Sequence, residues 1–160
     1  MFAIIIGAVL LTAIDQVSKF LAVANLKPVG NITVIDGFFD LTFVENRGAA
    51  FGILNGHRWL FIAITVAVTI AAFFYLNKMK ECDRVHNILK FSVMLILSGA
   101  WGNALDRLFR GYVVDYFEFT FINYPVFNVA DIYVTVAAFA MIILGLFYYK
   151  EEDYNKIFHD

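Results

Sequence analysis

Four long apolar stretches set the pattern of the chain: about Phe2–Ala24, Trp59–Leu76, Ile88–Phe109 and Val126–Tyr149. Each approaches or exceeds the roughly 20 apolar residues that carry a helix across a bilayer. The polar residues inside them are ordered. In the first stretch Thr12, Asp15, Gln16 and Lys19 recur at i, i+3, i+4 and i+7, which makes one stripe on a helix. In the third, Gly99, Gly102, Asn103, Asp106, Arg107 and Arg110 share a face that turns from small to polar to charged. Small residues there allow close helix contact. In the fourth, read as a helix starting just after Pro125, Asn128 and Asp131 lie one turn apart on one face. That start would bury Asp131 about 7 Å inside the span. A carboxylate in a span costs ~2.5–3.5 kcal/mol at mid-membrane, so such stripes face other helices or water. The second stretch carries no charge and reads as plainly lipid-facing.

The connections are unequal. Asn25 to Arg58 is long, polar and rich in turn signals, including Lys27-Pro28, Asp36-Gly37 and Asn55-Gly56. Within it, Ile32–Ile35 and Phe38–Val44 read as short strands around Asp36-Gly37. It ends in Glu45-Asn46-Arg47-Gly48-Ala49-Ala50-Phe51-Gly52, where small residues permit close backbone approach beside the donors Asn46 and Arg47. Val113–Phe117, short and aromatic, reads as an interfacial segment. The predicted fold is an all-α membrane protein, residues 1–160 forming one domain. It is a four-transmembrane-helix bundle with a small extracytoplasmic β-containing loop between helices 1 and 2.

Composition agrees. The chain is 61% hydrophobic and 16% charged, against roughly 45–50% apolar in soluble domains. A net charge of −2 gives no reason to expect nucleic acid. A single cysteine, Cys82, excludes an intrachain disulfide and a cysteine-rich zinc site. Ala22-Val23-Ala24 resembles a signal-peptide cleavage site. No basic residue precedes the first apolar run, however, and Asp15, Gln16 and Lys19 interrupt it, so the stretch reads as a retained span. Lys78, Lys80, Arg84 and Lys90 crowd the short loop between spans 2 and 3, and Lys150 and Lys156 follow span 4. The positive-inside rule then places both termini in the cytoplasm. By parity alone Asp15, Asn46, Arg47, Asn103, Arg107, Asp115, Asn128 and Asp131 fall in the other, outward half of the bundle.

The chemistry open to that half is carboxylate chemistry. His57, His86 and His159 are scattered, and no serine lies in a nucleophile-elbow pattern. Asp115 and Asp131 flank a short connection. Two carboxylates brought close share a proton, and one can then activate water while the other polarises a carbonyl. Arg107 and the asparagines would position a substrate or fix the carboxylates. From spacing alone, a metal held by the aspartates or a cation on a transport path stays open. A transporter predicts polar residues through the full membrane depth or inverted repeats, which these spans lack. A metalloprotease would need histidine or glutamate beside the aspartates. Asp106 and Arg110 read as an exposed i, i+4 ion pair. Asp15 reads equally as a partner of Lys19 or Arg107 and as a substrate contact. Trp101 reads as lipid-facing or packing.

Five blocks in order resemble the lipoprotein signal peptidases (signal peptidase II). They are Asp15-Gln16 with Lys19; Asn46-Arg47-Gly48-Ala49-Ala50-Phe51-Gly52; Gly99 through Gly102-Asn103 to Asp106-Arg107; Val114-Asp115-Tyr116; and Phe127-Asn128-Val129-Ala130-Asp131. Ser98 departs from a glycine common in the family. The resemblance implies a bacterial membrane aspartyl endopeptidase, without metal or other cofactor, in the inner or cytoplasmic membrane. It would cleave signal peptides from prolipoproteins just before a diacylglyceryl-modified cysteine. It assigns Asp115 and Asp131 as the catalytic pair and Asn46, Gly48, Asn103, Arg107 and Asn128 as substrate-binding or dyad-supporting. Asp15 and Lys19 become structural members of the site. It further implies membrane lipid as surroundings, a globomycin-type inhibitor and a monomer.

Overall fold

The computed structural model describes residues 1–48, 54–78 and 84–148. Helix α1 (Phe2–Asn25) leads into strands β1 (Asn31–Ile35) and β2 (Phe39–Asn46). Helices α2 (Arg58–Lys78) and α3 (Arg84–Phe109) follow, then strand β3 (Val113–Phe119) and helix α4 (Val129–Phe147). The motif residues Ala49–Gly52 and the charged stretch after Tyr148 lie outside the described residues.

All four helices are long and apolar enough to cross a membrane. Their surfaces invert the soluble pattern. Ile5, Val9, Leu10, Val17, Ile70, Phe139 and Ile143 are exposed, whereas Asp15, Lys19, Ser92, Ser98 and Asp106 are fully buried. This is the arrangement lipid demands, because polar side chains must find partners inside the bundle. Helix α3 is the hub and packs against α1, α2 and α4. One apolar cluster (Ala72, Leu76, Leu89, Val93, Leu144) joins α2, α3 and α4. A second (Ala22, Leu26, Val114, Tyr116) seats β3 on α1.

Glycines set the closest helix approach. A Cβ at Gly99 would collide with the Ala130 carbonyl oxygen and stand 2.6 Å from Val134 Cγ2. At Gly102 it would stand 3.1 Å from Ala130 Cβ and 2.5 Å from Asp15 Oδ2. The obstacle at Gly99 is backbone and cannot swing aside. Gly99→Ala is therefore expected to destabilise the bundle by about 1–3 kcal/mol, read as a lower Tm in detergent micelles. An unchanged Tm would mean that α3 and α4 separate at no cost.

The sheet is wholly antiparallel, in the order β1-β2-β3. The two predicted strands are present, joined by a turn in which Gly37 takes φ 67°, open to glycine without strain. The third strand corrects the sequence reading: Val113–Phe119 is not merely interfacial but completes the sheet. Its alternation is hard to see because Val113, Val114, Asp115 and Tyr116 are all buried. Phe127 then pairs with Phe117 in an isolated bridge, so the chain entering α4 runs back along β3. This bridge also delays α4 to Val129, later than the predicted Val126. The two connections on this side of the bundle are thus zipped together, and β2 is part of the site's frame.

Candidate active site

Asp115 and Asn46 are placed by strand register. Val44 lies opposite Asp115, and Asn46 opposite Val113. Side chains two apart on a strand share a face, so Asn46 is the diagonal neighbour of Asp115. Asn46 Nδ2 donates to Asp115 Oδ2 at 2.8 Å. Asn128 Nδ2 donates to the other oxygen, Oδ1, at 2.6 Å.

Asp131 is placed by a helix cap. Asn128 is the N-cap of α4 and Asp131 is its third residue; each side chain accepts from the other's backbone N–H at 3.1 Å. Asp131 thus sits in the first helical turn, not about 7 Å within a span. Unpaired amides at a helix start favour a negative charge there. Its Oδ1 accepts from Asn103 Nδ2 at 2.8 Å.

Chemistry fixes the direction of all three asparagine amides. Asn46 Oδ1 accepts the Gly48 N–H at 2.9 Å. Asn128 Oδ1 accepts the Asp131 N–H. Asn103 Oδ1 accepts from Lys19 Nζ at 2.8 Å and from Asn128 Nδ2 at 3.1 Å. An amide nitrogen cannot accept, so each NH2 must face a carboxylate. Asn128 links the halves, since its Nδ2 bridges Asp115 and Asn103.

Asp115 is 2% exposed. Burial, followed by the nearby Asp131 charge, pushes its carboxyl up to about 7, against the pull of the Asn46 and Asn128 donors and the charge of Lys19. A carboxyl held there stays protonated up to near neutral pH, where an ordinary aspartate is ionised, beside a second carboxylate.

Behind the pair lies a buried ionic network. Lys19 Nζ meets Asp15 Oδ2 at 3.0 Å and Asp106 Oδ2 at 3.1 Å, with all three side chains fully buried. Gln16 donates to the Gly102 carbonyl at 2.9 Å and to Asp15 at 3.2 Å. Arg110 pairs with Asp106 Oδ1. Here the sequence reading of an exposed Asp106–Arg110 pair is wrong in its burial. The i, i+4 spacing is right, but Asp106 faces Lys19 of α1, a partner the spacing within α3 cannot reveal. Asp15 pairs with Lys19. Tyr116, whose phenol burial pushes up to about 12, donates to Ser18 Oγ at 2.7 Å and ties β3 to α1.

Arg107 donates to the Gly48 carbonyl at 2.8 Å and lies 4.3 Å over the Phe61 ring. It braces the end of β2 instead of bonding a carboxylate directly. Arg47 turns out to the surface and pairs with Glu45 at 3.1 Å. Trp101 donates to Thr69 at 3.0 Å, a packing contact between α3 and α2. A cleft of about 390 Å³ opens over the pair, lined by Asn46, Asn103, Arg107, Asp115 and Asp131. Phe61 of α2, with Val134 and Thr135 of α4, supplies its apolar walls. Phe61 is a site residue that sequence reasoning missed, because nothing distinguishes it within an uncharged span.

Fold and site define a multi-pass membrane protein with two carboxylates in a cleft at one end of its bundle. A family model described as Signal peptidase (SPase) II matches residues 7–147. A lipoprotein signal peptidase of Clostridioides difficile is 44% identical over 140 residues, covering 88% of this chain and 92% of the relative. Another, from Caldanaerobacter subterraneus subsp. tengcongensis, is 46% identical over 132 residues, 82% of this chain and 86% of its own. A bacterial membrane enzyme solved by the in meso method at 2.3 Å resolution superposes with a TM-score of 0.79. It is 32% identical, covering 91% of this chain and 88% of that one. The chain belongs to the signal peptidase II family, the lipoprotein signal peptidases. It is a multi-pass bacterial membrane protein, and members of this family are peptidases that process the signal peptides of prolipoproteins.

Proposed function

We propose that this chain is an aspartyl endopeptidase of the bacterial cell membrane that cleaves diacylglyceryl-modified prolipoproteins just before the lipidated cysteine. The observation that carries the reading is the pair itself: Asp115 and Asp131 share one cleft, each held by asparagine donors whose direction is fixed. Asp131, at the start of α4, is the ionised member. It takes a proton from water, and the hydroxide so formed adds to the scissile carbonyl carbon. Protonated Asp115 donates a hydrogen bond to the carbonyl oxygen and stabilises the charge that develops there. Collapse of the tetrahedral intermediate breaks the C–N bond, and the proton held by Asp131 passes to the leaving amine. Asn46, Asn103 and Asn128 hold the carboxylates, and Arg107 with Gly48 braces the wall of the cleft.

The surroundings suit a substrate resident in lipid. Beside the cleft lies an apolar groove of about 270 Å³, sharing Tyr124, Phe127, Asp131 and Thr135 with it. Its other walls are Phe119, Ile122, Ile132 and Val136. The lipid portion of the substrate lies in this groove while the peptide crosses the dyad. The positive-inside reading adds that the cleft faces outward and both termini face the cytoplasm.

The test uses purified protein with lipid-modified and unmodified prolipoprotein, each with and without EDTA. The expected result is cleavage of the modified substrate alone, unaffected by EDTA. Loss of cleavage with EDTA would move the aspartates to a metal site. Equal cleavage of both substrates would remove the lipid from recognition.

A further inference from the structure

The buried Asp15–Lys19–Asp106 network touches the catalytic pair at two unusual points. Asp106 Oδ2 accepts the backbone N–H of Val114 at 3.1 Å, and Val114 immediately precedes Asp115. Asp15 Oδ1 accepts the backbone N–H of Ala130 at 2.9 Å, and Ala130 immediately precedes Asp131. Each buried aspartate therefore grips the peptide next to one member of the dyad. Lys19 ties the two grips together and also donates to Asn103, which holds Asp131.

We propose that Asp15, Lys19 and Asp106 form a positioning clamp that sets the separation of Asp115 and Asp131 through the backbone of Val114 and Ala130. The inference rests on the dyad reading above. The physical argument is one of leverage. Asp115 rides on β3 and Asp131 on α4, two elements otherwise joined near the site by the Phe117–Phe127 bridge and Asn128. A helix alone does not need such a grip, because an exposed first-turn N–H is satisfied by water. The Ala130 N–H is instead met by a carboxylate from another helix, with no exposure of either residue. Two fully buried carboxylates around one ammonium are a poor source of net stability, since desolvation offsets most of the attraction. Their spacing is what such a network holds firmly. A shift of about 1 Å in reacting groups costs on the order of 100-fold in rate.

The test separates clamp from scaffold. The double variant Asp15→Asn/Lys19→Met removes one charge of each sign, keeps an acceptor for Ala130 and leaves the Asp106–Arg110 pair intact. Asp106→Asn is the milder second variant, keeping an acceptor for Val114. Both are assayed as folded protein, checked by thermal melting, for kcat, KM and the pH profile of kcat. Wild type and Asp131→Asn run in parallel. The clamp predicts a kcat roughly 10- to 100-fold lower with KM within about twofold. It also predicts an alkaline limb of kcat displaced to lower pH in the double variant, as Asp115 and Asp131 move apart, against the opposite displacement that loss of the Lys19 charge alone produces. That limb does not depend on how much protein is folded, and a merely structural role, in which only the Lys19 charge is lost, moves it to higher pH. Around Asp115 the other charged groups are Asp131 of α4, Lys19 of α1 and Arg107 of α3, and the neutral double change leaves the first and third untouched. Wild-type kcat, or a limb displaced to higher pH, in the folded double variant would overturn the clamp. If that variant does not fold, wild-type kcat and KM in Asp106→Asn overturn it. Activity surviving in Asp131→Asn would instead overturn the dyad reading on which the clamp depends.

Discussion

Asp115→Asn and Asp131→Asn are each expected to lower kcat on a lipid-modified prolipoprotein by about 10³-fold or more, with KM little changed. General acid–base groups contribute about 10²–10⁴-fold, and in the proposed mechanism the two carboxyls act as one unit. Removing both is then expected to cost little more than removing one. The asparagine side chain preserves shape, but it cannot preserve every bond. At position 115 both carboxyl oxygens face amide donors, Asn46 and Asn128. At position 131 they face Asn103 and the backbone of Asn128. An introduced NH2 must point at one of these donors, so some local displacement accompanies the chemical loss. Single-turnover cleavage by protein of verified Tm separates the two effects. Retention of more than about a tenth of wild-type kcat in either variant would take that residue out of the chemistry.

The sequence disclosed the site through what membranes forbid. Asp15, Lys19, Asn103 and Asp131 stand in stretches otherwise fit for lipid, and helical spacing put each on an inward face. Parity then brought them to one end of the bundle, and resemblance to a known family assigned the pair. What stayed hidden depends on contacts between elements distant in sequence. The third strand carries no readable alternation because both its faces are covered. The burial of Asp106 comes from Lys19 on another helix, 87 positions earlier by residue number. The late start of α4 depends on Phe127 pairing back to β3. Phe61 gave no signal because an apolar residue in an apolar span is silent about what it faces.

A second large effect concerns stability and its pH dependence. The Asp115 carboxyl is pushed from 3.8 to about 7 in the folded protein, first by burial and then by Asp131. Between these values the unfolded chain has released this proton and the folded one retains it. Stability must therefore fall as pH rises, with its full value present below about pH 4 and the loss complete above about pH 7. At 1.36 kcal/mol per unit the loss is about 4 kcal/mol, an upper figure because the cleft admits water beside the group. Asp115→Asn has no proton to lose at this position, so this part of the slope disappears. Against that, an asparagine here leaves one of the Asn46 or Asn128 donors facing another donor, at about 1–3 kcal/mol. The two effects oppose each other, and pH decides which one wins. At pH 4 the variant is expected to be less stable than wild type. At pH 8 it is expected to be more stable, with the curves crossing between about pH 4.5 and pH 6. Reversible unfolding in mixed micelles, followed by tryptophan fluorescence at each pH, checks both the slope and the crossing. Parallel curves for the two proteins across this range would mean that Asp115 is ionised in the fold at neutral pH, and Asp131 would then have to hold the shared proton.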